Sequence, residues 1–120
     1  QKLEQYARQV EEYLRTSEAS EVYTNAALSI KDVADATGIS KNNLSKSINV
    51  ILGKNFFDLV NGFRIEKSKA LLMSKKEKGL TLETIAKQCG FNSRITFNNA
   101  FKKVIGVTTT EWLKLNQNEK

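Results

Sequence analysis

The sequence predicts an all-α chain of seven helices, arranged as two helix-turn-helix subdomains joined by a long linker helix. Three observations carry that expectation: an internal repeat, apolar residues recurring at three- and four-residue spacing, and cap residues and glycines at the points where such helices begin and end. The repeat aligns Leu28–Leu59 with Leu80–Trp112. Leu28/Leu80, Ala34/Ala86, Gly38/Gly90, Ser40/Ser93 and Gly53/Gly106 are identical, and Val33/Ile85, Ile39/Phe91, Lys41/Arg94, Leu44/Phe97, Ile48/Phe101, Ile51/Val104, Leu52/Ile105 and Asp58/Glu111 keep size, charge sign or apolar character. The offset grows from 52 to 53 between Gly90 and Ser93, which places a turn there, because insertions belong in turns.

Each element follows from local chemistry. Leu3, Tyr6, Ala7, Val10, Tyr13 and Leu14 form one apolar stripe, so a first helix covers about residues 2–16; the polar stretch from Thr16 to Asn25 reads as a loop. Ser29 is placed to cap a short helix over Ile30–Thr37, and Gly38 supplies the left-handed residue that ends it. Ile39 then acts as a buried plug and Ser40 caps a second helix over Lys41–Leu52, with Leu44, Ile48, Ile51 and Leu52 inward and Asn42, Ser45, Lys46 and Asn49 outward. Gly53 closes it. A long helix runs from near Asn55 to about Met73 on Phe56, Leu59, Val60, Phe63, Ala70 and Leu71, and a basic loop covers Ser74–Gly79. The second repeat gives a helix from the Thr81 cap to about Cys89, the Gly90-Phe91-Asn92 turn, a helix over Arg94–Ile105 and a last helix from about Thr108 to Asn116 anchored by Trp112 and Leu113. The expected divisions are residues 1–54, the linker helix 55–73 and residues 74–120.

With 120 residues, the chain holds one domain or two very small ones, too small for a deep catalytic cleft. It has no histidine and one cysteine, so the usual zinc ligand sets and the Ser-His or Cys-His nucleophile pairs cannot be assembled. Neither an enzymatic activity nor a cofactor is expected. Cys89, alone and beside Ile85 and Phe91, reads as an inert buried thiol of a reducing, cytoplasmic compartment. No apolar run is long enough to span a bilayer, so no membrane contact is expected. The net charge of +6 is unevenly distributed: residues 1–30 carry 3 basic and 5 acidic groups, residues 31–74 carry 7 and 4, and residues 75–120 carry 9 and 4. Positive charge therefore sits on the repeats.

A helix whose outward face carries Arg, Lys, Asn and Ser suits the B-DNA major groove, roughly 12 Å wide, because those groups match base-edge acceptors and donors. A spacer of about 18 residues spans roughly 27 Å, near the roughly 34 Å between successive major-groove openings on one side of the duplex. The competing expectation is an all-helical interaction module whose basic face docks an acidic protein partner, with RNA polymerase a candidate.

Several segments resemble the C-terminal DNA-binding domain of AraC/XylS transcriptional regulators. They are Ile85-Ala86, Gly90-Phe91-Asn92-Ser93, Phe97, Phe101-Lys102-Lys103 and Gly106-Val107-Thr108, together with Val33-Ala34, Ile39-Ser40, Leu44-Ser45, Gly53 to Phe57 and Arg64 to Leu72. The resemblance spans roughly residues 28–115 and implies that double-stranded DNA is the partner, with the third and sixth of the seven helices in adjacent major grooves of an asymmetric site. It implies base reading by Asn42, Ser45 and Lys46 in one helix and by Arg94, Ile95, Asn98 and Asn99 in the other. Phosphate contacts are implied at Lys41, Asn61, Arg64, Lys102, Lys103 and the helix start at Thr108, Thr109 and Thr110. It also implies a separate N-terminal sensor part, missing from this fragment. The chain departs from the family pattern at Thr109, where proline is common, and at Asn99, where arginine is common.

Overall fold

The computed structural model describes residues 2–16 and 21–117. Eight α-helices and one 3₁₀ turn are found among them, and no strand: α1 Lys2–Thr16, the turn Val22–Thr24, α2 Ile30–Thr37, α3 Lys41–Leu52, α4 Phe56–Met73, α5 Lys75–Lys78, α6 Leu82–Gln88, α7 Arg94–Ile105 and α8 Thr109–Gln117. The all-helical expectation holds, but the count of seven is corrected to eight. Of the expected loop after Thr16, residues 17–20 lie outside the described residues.

The extra helix is α5, in the segment expected to be a basic loop. Its closure is made by the backbone: the Lys78 amide donates to the Ser74 carbonyl (3.0 Å) and the Leu80 amide to that of Lys75 (2.9 Å), while Gly79 turns left-handed at φ 65°. Its all-charged sequence, Lys75-Lys76-Glu77-Lys78, conceals this from a reading of apolar spacing, because a single turn needs no buried stripe.

The chain divides into two compact units, one ending at Phe63 and one beginning at Arg64. In the first, Val10 and Leu14 of α1, Val33 of α2, Leu44 and Ile48 of α3, and Phe56, Leu59 and Val60 of α4 form the core, with Ile39 as its plug. The second core gathers Ile65, Leu72, Ile85, Ala86, Cys89, Phe91, Phe97, Ala100 and Phe101. The long helix is thus shared. Its buried stripe shifts by about half a turn between Leu59-Val60 and Ile65-Leu72, at 3.6 residues per turn.

Caps begin the helices as the sequence indicates. The Asp32 amide donates to Ser29 Oγ (3.3 Å) and the Ser29 amide to Asp32 Oδ2 (3.0 Å), a reciprocal capping box. Ser40 caps α3 through the Asn43 amide (3.2 Å), Thr81 caps α6 through Thr84 (3.0 Å), and Ser93 caps α7 through Thr96 (3.1 Å). Gly38 adopts φ 77° and Gly90 φ 101° at the two equivalent turns, and the extra residue of the second repeat falls in the longer turn before Ser93. One inward assignment is corrected: Ile51 is 38% exposed, and the buried side of α3 is completed instead by Ser47, whose hydroxyl donates to the Leu44 carbonyl (2.9 Å). The small hydroxyl can be buried because the helix itself satisfies it.

Two glycines should respond oppositely to alanine. A Cβ at either Gly38 or Gly62 meets nothing within 4 Å, so the backbone decides. At Gly38, with its positive φ, alanine should destabilise by about 1–2 kcal/mol. At Gly62, within α4, it should stabilise by about 0.5–1 kcal/mol. Urea unfolding midpoints of the two variants check the signs.

Candidate nucleic-acid interface

In the first unit, α3 has a buried side of Leu44, Ser47 and Ile48, which leaves Lys41, Asn42, Ser45, Lys46 and Asn49 exposed. No acidic residue lies on this helix. Its free face therefore offers ammonium, carboxamide and hydroxyl groups, the set that can meet both base edges and phosphate. Nearby on α2, Lys31 is engaged by Asp35 at 3.0 Å, and this hydrogen-bonded pair raises its pKa above the ordinary lysine value.

In the second unit, α7 exposes Arg94, Ile95, Asn99, Lys102 and Lys103. Ile95 is 73% exposed, an apolar group left out of the core by a helix that buries Phe97, Ala100 and Phe101. Asn98 differs from the other expected base readers in being half-buried. A recess of about 300 Å³ lies beside it, lined by Leu82, Arg94, Asn98, Asn99, Lys102 and Thr108–Thr110.

The start of α8 forms one wall of that recess. Here the Glu111 amide donates to Thr108 Oγ1 (3.1 Å) and the Thr108 amide to Glu111 Oε1 (2.9 Å). The Thr108 amide, then its hydroxyl, hold the Glu111 carboxyl below the usual carboxylate range, and Lys102 adds to the effect. Of the three threonine amides expected to face an anion, Thr108 is therefore committed to a carboxylate of its own chain, leaving those of Thr109 and Thr110. The Thr109 side chain is itself buried, at 5% exposure. The T-x-x-E spacing of Thr108 and Glu111 is a capping-box signal that reading for basic groups passes over.

Two expected phosphate contacts lie elsewhere. Asn61 is half-buried on α4. Arg64 is 7% exposed, its guanidinium carbon 5.7 Å from the centroid of Phe91, and burial pulls its pKa below the ordinary arginine value. This placement puts the cation at the end of a series of tilted and edge-on rings, Phe91, Phe97, Phe101 and Trp112, whose neighbouring centroids are 5.5, 6.0 and 5.9 Å apart. Arg64 is turned toward the core, unlike the exposed cations of α3 and α7. Among the described residues, no group of three or more Cys, Asp or Glu side chains could hold a metal ion. None of the described helices is long and apolar enough to cross a membrane.

Comparison with known proteins agrees with this architecture. A family model described as a helix-turn-helix domain matches residues 33–115. The xylose operon regulatory protein of Escherichia coli (strain K12) is 30% identical over 89 residues, which cover 74% of this chain and 22% of that protein. The chain thus spans under a quarter of that curated relative. The C-terminal domain of AraT, a response regulator from Geobacillus stearothermophilus, superposes with a TM-score of 0.74 at 27% identity, covering 96% of this chain and 88% of that one. The C-terminal domain of the two-component response regulator yesN from Fusobacterium nucleatum gives 0.67 at 27% identity, covering 84% and 95%. Together with the repeated turn geometry, these similarities show that the chain belongs to the AraC/XylS helix-turn-helix family.

Proposed function

We propose that this chain is the double-stranded-DNA-binding domain of a cytoplasmic transcriptional regulator and that α3 and α7 enter adjacent major grooves of one asymmetric site. The observation that carries the reading is the recurrence, once in each unit, of a serine-capped helix whose free face bears cations and carboxamides. At the equivalent first positions of the two helices the cation itself recurs, Lys41 on α3 and Arg94 on α7, which unselected surface decoration has no reason to do. On α3 the base-reading groups are Asn42, Ser45 and Lys46. On α7 they include Arg94, for guanine, and Ile95, for a thymine methyl, with Asn99 beside them. Lys41, Lys102, Lys103 and the amides of Thr109 and Thr110 take phosphates, which fix register without reading sequence. The exposed pairs Asn42/Ile95 and Lys46/Asn99 are chemically unlike, so the half-sites differ and the site is not a palindrome.

Two substitutions separate the roles. Arg94→Ala should cost about 1–3 kcal/mol on the preferred duplex and relax preference in one half-site. Lys102→Ala should weaken every duplex about equally and reduce the log–log salt slope by about 0.9. Fluorescence anisotropy on preferred and scrambled duplexes, repeated over a range of salt, reads both. Equal losses on both duplexes for both variants would defeat the assignment, and an acidic protein would then be the better partner.

Glu111 supplies a third test. Its exposed carboxylate stands at the α8 start, where a phosphate is proposed to sit, so Glu111→Gln should raise affinity a few-fold on all sequences. A fall in affinity, with the helix content retained, would remove α8 from the interface. The cap should also titrate. Because the Glu111 pKa is lowered by folding, its charged cap stabilises the native state above the ordinary carboxylate pKa and loses that contribution as pH falls through the lowered value. Glu111→Gln should flatten that part of the stability–pH curve.

A further inference from the structure

The turn of the second unit differs from that of the first in two ways. It carries one more residue between plug and cap, Asn92, because Gly38-Ile39-Ser40 corresponds to Gly90-Phe91-Asn92-Ser93. An added turn residue brings backbone freedom that must be lost before α7 has a single position. The plug is also a ring, Phe91 at 4% exposure, where the first unit has the aliphatic Ile39. A ring offers a face to a cation, and an aliphatic side chain does not.

That face is taken by Arg64, whose guanidinium carbon lies 5.7 Å from the Phe91 centroid. Burial strips solvent from the charge, and exchanging a buried charge for an apolar side chain of similar size is often neutral or stabilising. Stability alone therefore does not call for arginine here. A guanidinium adds direction, because its planar head favours one arrangement against a ring where a flexible apolar chain accepts many. From Phe91 the constraint reaches α7 in one further contact: the Phe97 ring, fully buried on that helix, is 5.5 Å away. Arg94 and Ile95 stand on the same helical turn as Phe97, so rolling α7 to re-aim them must move Phe97 against Phe91.

We propose that Arg64 is a positioning residue: by clamping the Phe91 plug it fixes the roll of α7, and with it the aim of Arg94 and Ile95, without touching DNA. This role rests on the DNA-binding reading and takes the place of the phosphate contact expected of Arg64. Ile39 offers no ring for such a clamp, so the α3 half-site is an internal control.

The test measures wild type, Arg64→Met, Phe91→Leu and the double variant on the preferred duplex, on duplexes changed one base pair at a time, and on scrambled DNA. The α7 half-site is the one relaxed by Arg94→Ala. Arg64→Met should leave thermal melting and affinity for scrambled DNA close to wild type, while discrimination against changed base pairs falls roughly threefold to tenfold in the α7 half-site alone. Phe91→Leu should lose the same discrimination, and the double variant no more than the larger single loss, since both break one contact. Weakening on every duplex with a salt slope lower by about 0.9 would make Arg64 a phosphate contact and overturn the proposal. Equal loss in both half-sites with lowered melting would reduce it to core packing, and additive losses in the double variant would uncouple it from Phe91; either overturns the proposal too. If Arg64→Met does not fold, Arg64→Lys takes its place: a loss confined to the α7 half-site supports the clamp, and no loss or a uniform one overturns it. A second arm needs no preferred sequence. Residual dipolar couplings of the ¹⁵N-labelled free protein should report α7 rolled against α6 in Arg64→Met, with α3 unchanged against α2. If wild type prefers no sequence, the parent reading fails, and an α7 unchanged in these couplings would then overturn the clamp as well.

Discussion

The constraint on which the rest depends is the turn between the paired helices of each unit. A glycine in the left-handed region ends the first helix, an apolar residue drops into the core, and a serine hydroxyl starts the second. Gly38, Ile39 and Ser40 do this in one unit, and Gly90, Phe91 and Ser93 in the other. A left-handed conformation costs an ordinary residue about 1–2 kcal/mol, and loss of a serine cap about 1 kcal/mol. Those terms matter because the turn holds the second helix against the first, which leaves the far side of α3 or α7 free. The functional surface is what remains after the turn has decided which side is buried.

The two units meet this requirement with different cores. The first depends mainly on aliphatic residues from α1 to α4, with Phe56 as its one buried aromatic ring and α1 lying against α3. The second is smaller in chain length and relies on a series of aromatic rings from Phe91 to Trp112, closed at one end by the Arg64 guanidinium. Such tilted and edge-on ring pairs contribute about 0.5–1.5 kcal/mol beyond their buried area. Because Phe91 is both the plug of the turn and a member of this series, the position of α7 is coupled to the packing of α8 through Phe101 and Trp112. The shared α4 serves both cores by changing the phase of its buried stripe between Val60 and Ile65.

Much of the fold was legible because it is specified by short-range signals. Caps at Ser29, Ser40, Thr81 and Ser93, and left-handed glycines at Gly38 and Gly53, are encoded within a turn of where they act, and the repeat showed the same signals twice. What escaped were features decided by backbone closure or by distant partners. The α5 turn has no apolar stripe, and its cap residue Ser74 makes no side-chain cap bond, so nothing local marked it. Ile51 has the right spacing to be inward and yet is exposed, whereas Ser47 is buried because its own helix accepts its hydroxyl proton. For the site, the exposed face of α3 and most of that of α7 could be read from periodicity. The placement of Arg64 over Phe91 joins residues 27 positions apart and has no local signature. The half-burial of Asn98 likewise depends on how α7 packs, which spacing alone does not specify.

Selection of bound duplexes from a random-sequence pool tests most directly whether one chain reads two unlike half-sites through α3 and α7. Enriched sequences should contain two conserved blocks about one helical turn apart, roughly 10 base pairs from centre to centre, with different bases in each block and no two-fold symmetry. A palindromic consensus, a single conserved block, or no enrichment over the starting pool would contradict it.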